Sequence, residues 1–539
     1  MKNYLRDYFA LLFVFTTVML LTNGLWGVLE TSEARYAEIA REMFHSKNWV
    51  EPTLLDIHHF HKPPLTYWIT TLSFQLFGVS SFAARFFLVV AYAVQVYLIF
   101  IISLSLFSQP KIAKYAALIY ATLPIVLISV RTLTTDAYLN TFILLTIFGW
   151  IRFSQTQQTK YLWITAVAAA LGFLTKGHAV FVVPFFAMIG MMKILPKPPL
   201  FKFQYLIAIA AFTIISFSWF YLVTRSNNGL GQYFILKHMF DRYFHAEVFS
   251  RSQPFYYYLL VFPMVTLPWF PFFIKNIFKR TQQSFSDQKT VYNILVWWLL
   301  IPFIVYSISS SKLTLYILPL SSGFSLVTAY YFDQALNAIW KWVIFIIHCL
   351  IFLAISLLNF FNTNFTVPEW LYFVPAIAFL VGLLTCVLVK QEQKAIGLLN
   401  ISFALTLLLY SSFFLHYNSF KANSIRPIAS FIKANSLNRS NILVYDKFLP
   451  SLAFELNTDI ISIYNTENSL KRETQFERTN AWKKHLINLH EQGDISYLKK
   501  LMEKKNVIVT QSELPPEIKL LMNGQWNRKS LDKWVIYYN

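Results

Sequence analysis

Apolar runs of about 20 residues, long enough to cross a bilayer, recur along the first three quarters of the chain and stop after His416. The pattern predicts about thirteen membrane helices. They fall at Tyr8–Val28, Phe82–Phe107, Ile112–Ser129, Leu133–Phe153, Tyr161–Thr175, His178–Met192, Phe203–Thr224, Phe255–Ile274, Tyr292–Ser309, Leu313–Phe332, Trp340–Phe360, Trp370–Val389 and Ala395–His416. Between the first two runs, from Glu30 to Trp68, the pattern changes to dense charge and proline. Charge beside hydrocarbon is costly, and marks this segment as the place to look for function.

Within it, Tyr36, Ile39, Ala40, Met43 and Phe44 repeat at helical spacing behind Ser32, a suitable N-cap, with Arg35, Glu38, Arg41 and Glu42 on the opposite face. Such a helix is expected to lie in the membrane interface. Glu33 shares the side of Tyr36, Ala37 and Ala40 and points toward the protein body; as a first-turn acid it would also complement the helix dipole. In His58-His59-Phe60-His61-Lys62-Pro63-Pro64 the prolines hold Lys62 out of a helix, and Pro64 opens a second interfacial helix over Leu65–Phe77. A fixed ammonium there suits a phosphate; snorkelling to headgroups is the plainer role.

Composition supports the membrane reading: 56% of the 539 residues are hydrophobic and 13% charged, against roughly a quarter charged in soluble proteins. No small-residue cleavage site follows the first run, which reads as a retained helix. Lys111 and Lys114, Arg152 and Lys160, Lys193, Lys197 and Lys202, Lys275, Lys279 and Arg280, Lys341, and Lys390 and Lys394 fall in alternate loops, so the N-terminus is expected in the cytoplasm and, with an odd number of helices, the C-terminus outside. This bias accounts for much of the net charge of +20 and calls for no nucleic-acid partner. Cys349 and Cys386 fall inside predicted membrane helices, as small apolar residues.

The expected organisation is a transmembrane domain over 1–416, with a first external loop at 29–81, and a small α/β domain over 417–539. In the latter, Asn441–Tyr445, Asn506–Thr510 and Trp534–Tyr538 read as strands, and Ile495–Lys505 and the stretch around Trp482–Leu489 as helices. It carries no nucleotide loop, metal spacing or catalytic triad, and reads as a packing or acceptor-docking module. The other conspicuous polar residues, Arg131 and Asp136, Lys176 before Gly177, and Lys312 before Tyr316, sit at connections predicted to face outside. Asp136 would complement the dipole of its own helix, and Lys176 and His178 would finish a hairpin around Gly177.

The runs S-E-A-R-Y-A-E-I-A-R-E-M and K-P-P-L-T-Y-W resemble the first external loop of GT-C membrane glycosyltransferases of the bacterial aminoarabinose transferase type and, more distantly, protein O-mannosyltransferases. The resemblance continues through Arg131–Asp136, Phe173–Gly177, Lys237–Tyr243, Gln253–Tyr258, Leu267–Trp269 and Ser311–Pro319, and hardly reaches the last 120 or so residues. It implies a bacterial inner-membrane enzyme that moves a monosaccharide from a polyprenyl phosphate, such as undecaprenyl phosphate, to lipid A or another envelope glycolipid at the periplasmic face. Protein O-glycosylation is the alternative within the class, and a lipid or solute transporter the alternative outside it. By the same resemblance Glu33 and Asp136 are candidate catalytic acids, while Arg35, Tyr36, Lys62, Arg131, Lys176, Arg242, Lys312 and Tyr316 are candidate donor-phosphate or substrate ligands.

Two departures matter. Ser32-Glu33 stands where the family carries Asp-Glu, so one acid is missing, which favours an acceptor that is already ionised, a lipid A phosphate, over a hydroxyl needing a base. His61 stands where aminoarabinose transferase has a glutamate that, with a later histidine, can bind a divalent metal. His61 and His238 are the corresponding candidate zinc ligands.

Overall fold

The computed structural model describes residues 2–30, 32–197, 203–227, 229–234, 252–278, 285–334, 336–361, 364–465 and 473–539. The chain divides into two compact units: residues 1–23 with 86–414, and 24–85 with 415–539. The first external loop, expected with the transmembrane part, falls in the same unit as residues 415–539.

In the first unit, helices long and apolar enough to cross a membrane run over Ser81–Phe107 (beginning in the other unit), Thr135–Thr156, Thr159–Val180, Phe203–Ser226, Ser286–Ile308, Ile339–Phe361, Glu369–Leu388 and Glu392–Tyr417. Tyr257–Val265 and Phe270–Asn276 form a pair bent by 109°, and Phe9–Thr22 and Val182–Met192 are shorter apolar helices. The run expected over Ile112–Ser129 is two helices, Pro110–Thr122 and Pro124–Ser129, because Pro124 has no N–H with which to continue the first. A buried network fixes the helix Thr135–Thr156: Gln95 Nε2 donates to the Ala137 carbonyl at 2.8 Å, and Asn140 Nδ2 donates to Tyr120 Oη at 2.7 Å, which donates to Gln95 Oε1 at 2.6 Å. Where side chains touch only other apolar groups, such bonds supply direction that hydrophobic burial does not.

The second unit is built on a six-stranded sheet ordered β5-β4-β3-β6-β8-β7. Its strands are β3 (Asn441–Tyr445), β4 (Ile461–Tyr464), β5 (Leu486–Asn488), β6 (Asn506–Thr510), β7 (Asn527–Leu531) and β8 (Trp534–Tyr538); β3 to β6 pair in parallel, and β8 and β7 join antiparallel. The three expected strands occupy the expected residues. The helix expected near Ile495–Lys505 runs over Gln492–Met502, but the stretch around Trp482–Leu489 is a single turn followed by the short strand β5. A three-residue strand, here Leu-Ile-Asn, is too short for periodicity to distinguish it from a helix.

The first loop contributes the helices Ser32–Ser46 and Leu65–Phe77 and a small hairpin, β1 (Thr53–Leu54) and β2 (Ile57–His58). Ile39 and Met43 of the first helix, Leu54 and Leu55 of the hairpin and Tyr67 of the second helix share one core with Ile428, Val444, Leu452, Val507 and Ile536. The face expected to be solvated is therefore interior: Glu38, Arg41 and Glu42 are 0, 3 and 6% exposed. The periodicity marks the apolar stripe correctly, but Asp459, which accepts from Arg41 Nη2 at 3.0 Å, lies 418 residues away.

Candidate active site

The helices Thr135–Thr156 and Thr159–Lys176 follow each other through a two-residue connection, and at 1.5 Å per residue they are about 33 and 27 Å long. An antiparallel hairpin of that kind brings the first residues of one helix beside the last of the other. The approach is close: a Cβ on Gly149 would stand 2.6 Å from Thr165 Oγ1 and 2.8 Å from its backbone nitrogen. At the shared end, Lys176 Nζ meets Asp136 Oδ1 at 2.5 Å, with both side chains about nine-tenths buried. Gly177 stops the second helix at φ 66°, a conformation without penalty only for glycine. Lys176 Nζ also stands 4.2 Å from the ring centre of Tyr316. Three residues nominated from three motifs therefore meet, and Asp136 is more than a dipole partner, although Thr134 does cap its helix by accepting from Asp136 N at 3.4 Å.

Two other candidates in this unit have different surroundings. Lys312, 3% exposed, donates to the Gln253 carbonyl at 2.9 Å, and burial lowers its pKa. Around it Gln253 N donates to the Ser310 carbonyl, and Tyr258 Oη to that of Leu313, so the Gln253–Tyr258 and Ser311–Pro319 motifs are laced together. Arg131 does not stand open to a ligand as expected. Its guanidinium donates to the Met19 carbonyl at 3.1 Å, to Thr22 Oγ1 at 2.8 Å, to Ser412 Oγ at 2.7 Å and to Asn23 Oδ1. It ties the helices Lys2–Thr22 and Glu392–Tyr417 together, a structural role invisible to sequence because its partners are more than a hundred residues away.

In the second unit, Glu33 is 1% exposed and held by Arg85, whose Nε reaches Oε1 at 2.8 Å and Nη2 reaches Oε2 at 2.9 Å; Leu29 N donates to Oε2 as well. Arg85 also donates to the carbonyls of Trp26 and Gly27 and lies over the Trp26 ring. The Glu33 carboxylate is thus held by Arg85 and the Leu29 amide, where the sequence pointed to an open catalytic acid. The sequence signal for Arg85 is a charge four residues into a predicted span. Tyr36 packs against Tyr67 with ring centres 5.7 Å apart. Arg35, half-buried, makes no hydrogen bond or ion pair with any described residue, which leaves its fork available for an anion. Lys62 is half-buried in the irregular stretch between β2 and the helix Leu65–Phe77.

Beside Lys62 the histidines sort into two pairings. His58 Nδ1 meets Glu477 Oε1 at 2.9 Å, and that hydrogen bond raises the imidazole pKa. His59 and His61 lie edge to face, ring centres 4.5 Å apart, and with Glu473 they offer three ligand atoms within 4.8 Å of one another. The donor set suits a divalent metal, and it comprises His59 and Glu473 in addition to the nominated His61. His238 and Arg242 lie outside the described residues.

The family model described as dolichyl-phosphate-mannose-protein mannosyltransferase matches residues 61–221. The chain is 29% identical over 330 residues to undecaprenyl phosphate-alpha-4-amino-4-deoxy-L-arabinose arabinosyl transferase 2 of Proteus mirabilis (strain HI4320), covering 60% of this chain and 58% of the relative. It is 31% identical over 306 residues to the corresponding transferase of Aeromonas salmonicida (strain A449), covering 55% and 54%. The chain thus spans little more than half the length of these relatives in sequence. In structure it is similar to ArnT from Cupriavidus metallidurans bound to undecaprenyl phosphate, with a TM-score of 0.79 at 18% identity, covering 100% of this chain and 98% of that one. The motif resemblance is borne out, and the fold is that of a polytopic GT-C membrane protein.

Proposed function

As a relative of the aminoarabinose arabinosyl transferases, the chain is, we propose, a glycosyltransferase that takes a monosaccharide from undecaprenyl phosphate and places it on lipid A or another envelope glycolipid. In the reaction the bond from the anomeric carbon to the donor phosphate oxygen breaks, polyprenyl phosphate leaves with the electron pair, and an acceptor oxygen bonds to that carbon. Arg35 and Lys62 are assigned to the departing phosphate charge, an electrostatic contribution of about 3–4 kcal/mol per well-placed donor. Asp136, with Lys176 and Tyr316, is assigned to the reacting sugar and acceptor, and Lys312 to substrate binding. A lipid A phosphate attacks already ionised; a hydroxyl acceptor would hand its proton to Asp136. The observation that supports the reading is the Asp136–Lys176–Tyr316 cluster, assembled from three separate sequence motifs.

The enzyme belongs in the inner membrane, with the N-terminus in the cytoplasm and residues 417–539 in the periplasm. The reading keeps about thirteen crossings; the bent pair, the shorter apolar helices, the broken Pro110–Ser129 pair and the buried helix Leu320–Gln334 would supply those beyond the long helices. The test is mass spectrometry of lipid A and glycolipids from cells with and without the gene. A mass increment of one sugar on a glycolipid supports the reading. Protein O-glycosylation, the second reading, is favoured by the mannosyltransferase model over 61–221, and would replace it if periplasmic glycoproteins change while the glycolipids do not.

A further inference from the structure

We propose that Arg426 and Glu455 are positioning residues of the transferase: within the second unit they grip the irregular strap at residues 24–30 and thereby set the helix Ser32–Ser46, which carries Arg35, an inference that rests on the assignment of Arg35 to the donor phosphate.

The strap lies outside the helices and named strands, so its backbone groups need other partners. Two arginine–glutamate pairs supply them. From the loop itself, Arg85 donates to the carbonyls of Trp26 at 3.0 Å and Gly27 at 2.9 Å, and Glu33 Oε2 accepts from Leu29 N at 2.8 Å. From the C-terminal segment, Arg426 Nη1 donates to the carbonyls of Gly24 at 3.0 Å and Leu25 at 3.2 Å, and Glu455 Oε1 accepts from Val28 N at 3.0 Å. Glu30 continues the line: its N–H donates to the Asn423 carbonyl at 2.7 Å, and its carboxylate accepts from Ser451 N at 3.3 Å and from Ser451 Oγ. The far end of the loop comes to the same place. Ser81, which opens the helix Ser81–Phe107, donates to Glu455 Oε1 at 3.2 Å and accepts from Arg426 Nη2 at 2.7 Å.

Three features show that these contacts serve the strap rather than the ion pair. The direct Arg426–Glu455 bond, 3.3 Å, is longer than the bonds by which the two residues hold Gly24, Val28 and Ser81. Glu455 stands in the last turn of the helix Pro450–Leu456, where an acid opposes the dipole, so its own helix gives no reason for it. The strap also passes so close that only glycine fits at position 27: a Cβ there would stand 2.4 Å from Ser424 Oγ, 2.7 Å from Glu455 Oε1 and 3.0 Å from Arg426 Cβ. The strap hands its position to the helix through Leu29, whose N–H donates to Glu33 and whose carbonyl accepts from Ala34 N at 3.0 Å. Arg35 is the next residue, and a misplacement of about 1 Å at a substrate-positioning group can cost about 100-fold.

The full-length protein, purified in detergent, is titrated with undecaprenyl phosphate, and a thermal melt checks that each variant is folded. Glu455→Ala and Gly27→Ala should each weaken binding by about 10–100-fold. Glu455→Gln, which keeps an acceptor for Val28 N, should stay within about 3-fold of wild type. In an Arg35→Ala background Glu455→Ala should cost nothing further, because both changes remove one interaction; a merely structural role would lower affinity equally in both backgrounds. Gly27→Ala leaves the Arg426–Glu455 pair in place and decides the matter if Glu455→Ala fails to fold. Wild-type affinity in folded Gly27→Ala, or a loss from Glu455→Ala that persists in full beside Arg35→Ala, would overturn the proposal while leaving the assignment of Arg35 standing. Wild-type affinity in Arg35→Ala would overturn that assignment, and the proposal with it.

Discussion

The two units handle charge in opposite ways. In the membrane unit, ion pairs among the described residues join helix ends: Lys111 with Asp333, Lys341 with Glu392, and Asp136 with Lys176, the pair that matters. The second unit places several charges in its interior, Glu33 with Arg85, and Glu38 and Glu42 beside Arg41, which also reaches the exposed Asp459, while Glu455 pairs with the partly exposed Arg426. A bilayer offers little compensation to a misplaced ion, so a buried charge there needs protein partners, as Arg131 has in Thr22 and Ser412. A unit with its own sheet can satisfy many ions at once and use them to fix geometry. Buried charge serves architecture in both units, as Arg131 and Glu33 show, and in the first unit the Asp136–Lys176 pair is the candidate for a reaction.

That contrast can be broken most decisively at Asp136. Asp136→Asn is expected to cut transfer by about 100-fold or more, measured as glycolipid product in membranes with equal protein. If the acid only complements its helix dipole, the variant would instead lose about 0.3–1 kcal/mol of stability and keep its activity. Next in size, Arg85→Ala leaves Glu33 buried and unpaired, and should cost about 3–5 kcal/mol, read as a collapse in yield or thermal midpoint. The double variant with Glu33→Gln should recover part of the loss; no recovery would mean that the carbonyl contacts of Arg85 dominate.

Arg131→Met tests the reassignment of a nominated ligand. Removing its donors from buried oxygens should cost about 1–2 kcal/mol in a thermal melt, with KM for donor unchanged in the folded fraction. A raised KM at unaltered stability would return Arg131 to the substrate site.

The smallest effect is a pH slope. Burial, Glu38 and Asp56 push the Glu42 pKa well above the usual range, against the opposing influence of Thr53 and Arg41, and Asp459 acts on its neighbour Glu38. A raised acid keeps its proton in the folded state after the unfolded chain has released it, so stability falls as pH rises from about 4.5 through the folded pKa. Glu42→Gln should flatten that fall, gaining on wild type at pH 8 relative to pH 5 in parallel denaturation curves. Identical slopes would mean that Glu42 is ionised in the fold.

Much of this was legible in the residues. The helix Leu65–Phe77 and the strands β3, β6 and β8 occupy their expected positions because proline, polar turns and β-branched runs are local signals. β4 and β7 carry weak local signals, the first being only four residues and the second polar and exposed at the sheet edge. At the candidate site, the motifs identified Asp136, Lys176 and Tyr316 but not that they touch. They flagged the charge of Arg131 and Glu33 but not that Ser412 and Arg85 already occupy it. Chemical type is written locally; whether a group is available depends on partners brought together only by folding.

The core shared by Ile39, Met43 and the C-terminal strands also sets a schedule for synthesis. A ribosome adding about 5–20 residues per second needs roughly 15–65 s to travel from Arg85 to Leu415. Throughout that interval the early loop has left the ribosome while its packing partners have not been made. Its apolar stripe must be sheltered by lipid or a chaperone until the final segment arrives, so a ribosome stalled anywhere in the membrane region would leave the nascent chain with an adhesive, unfinished half-core.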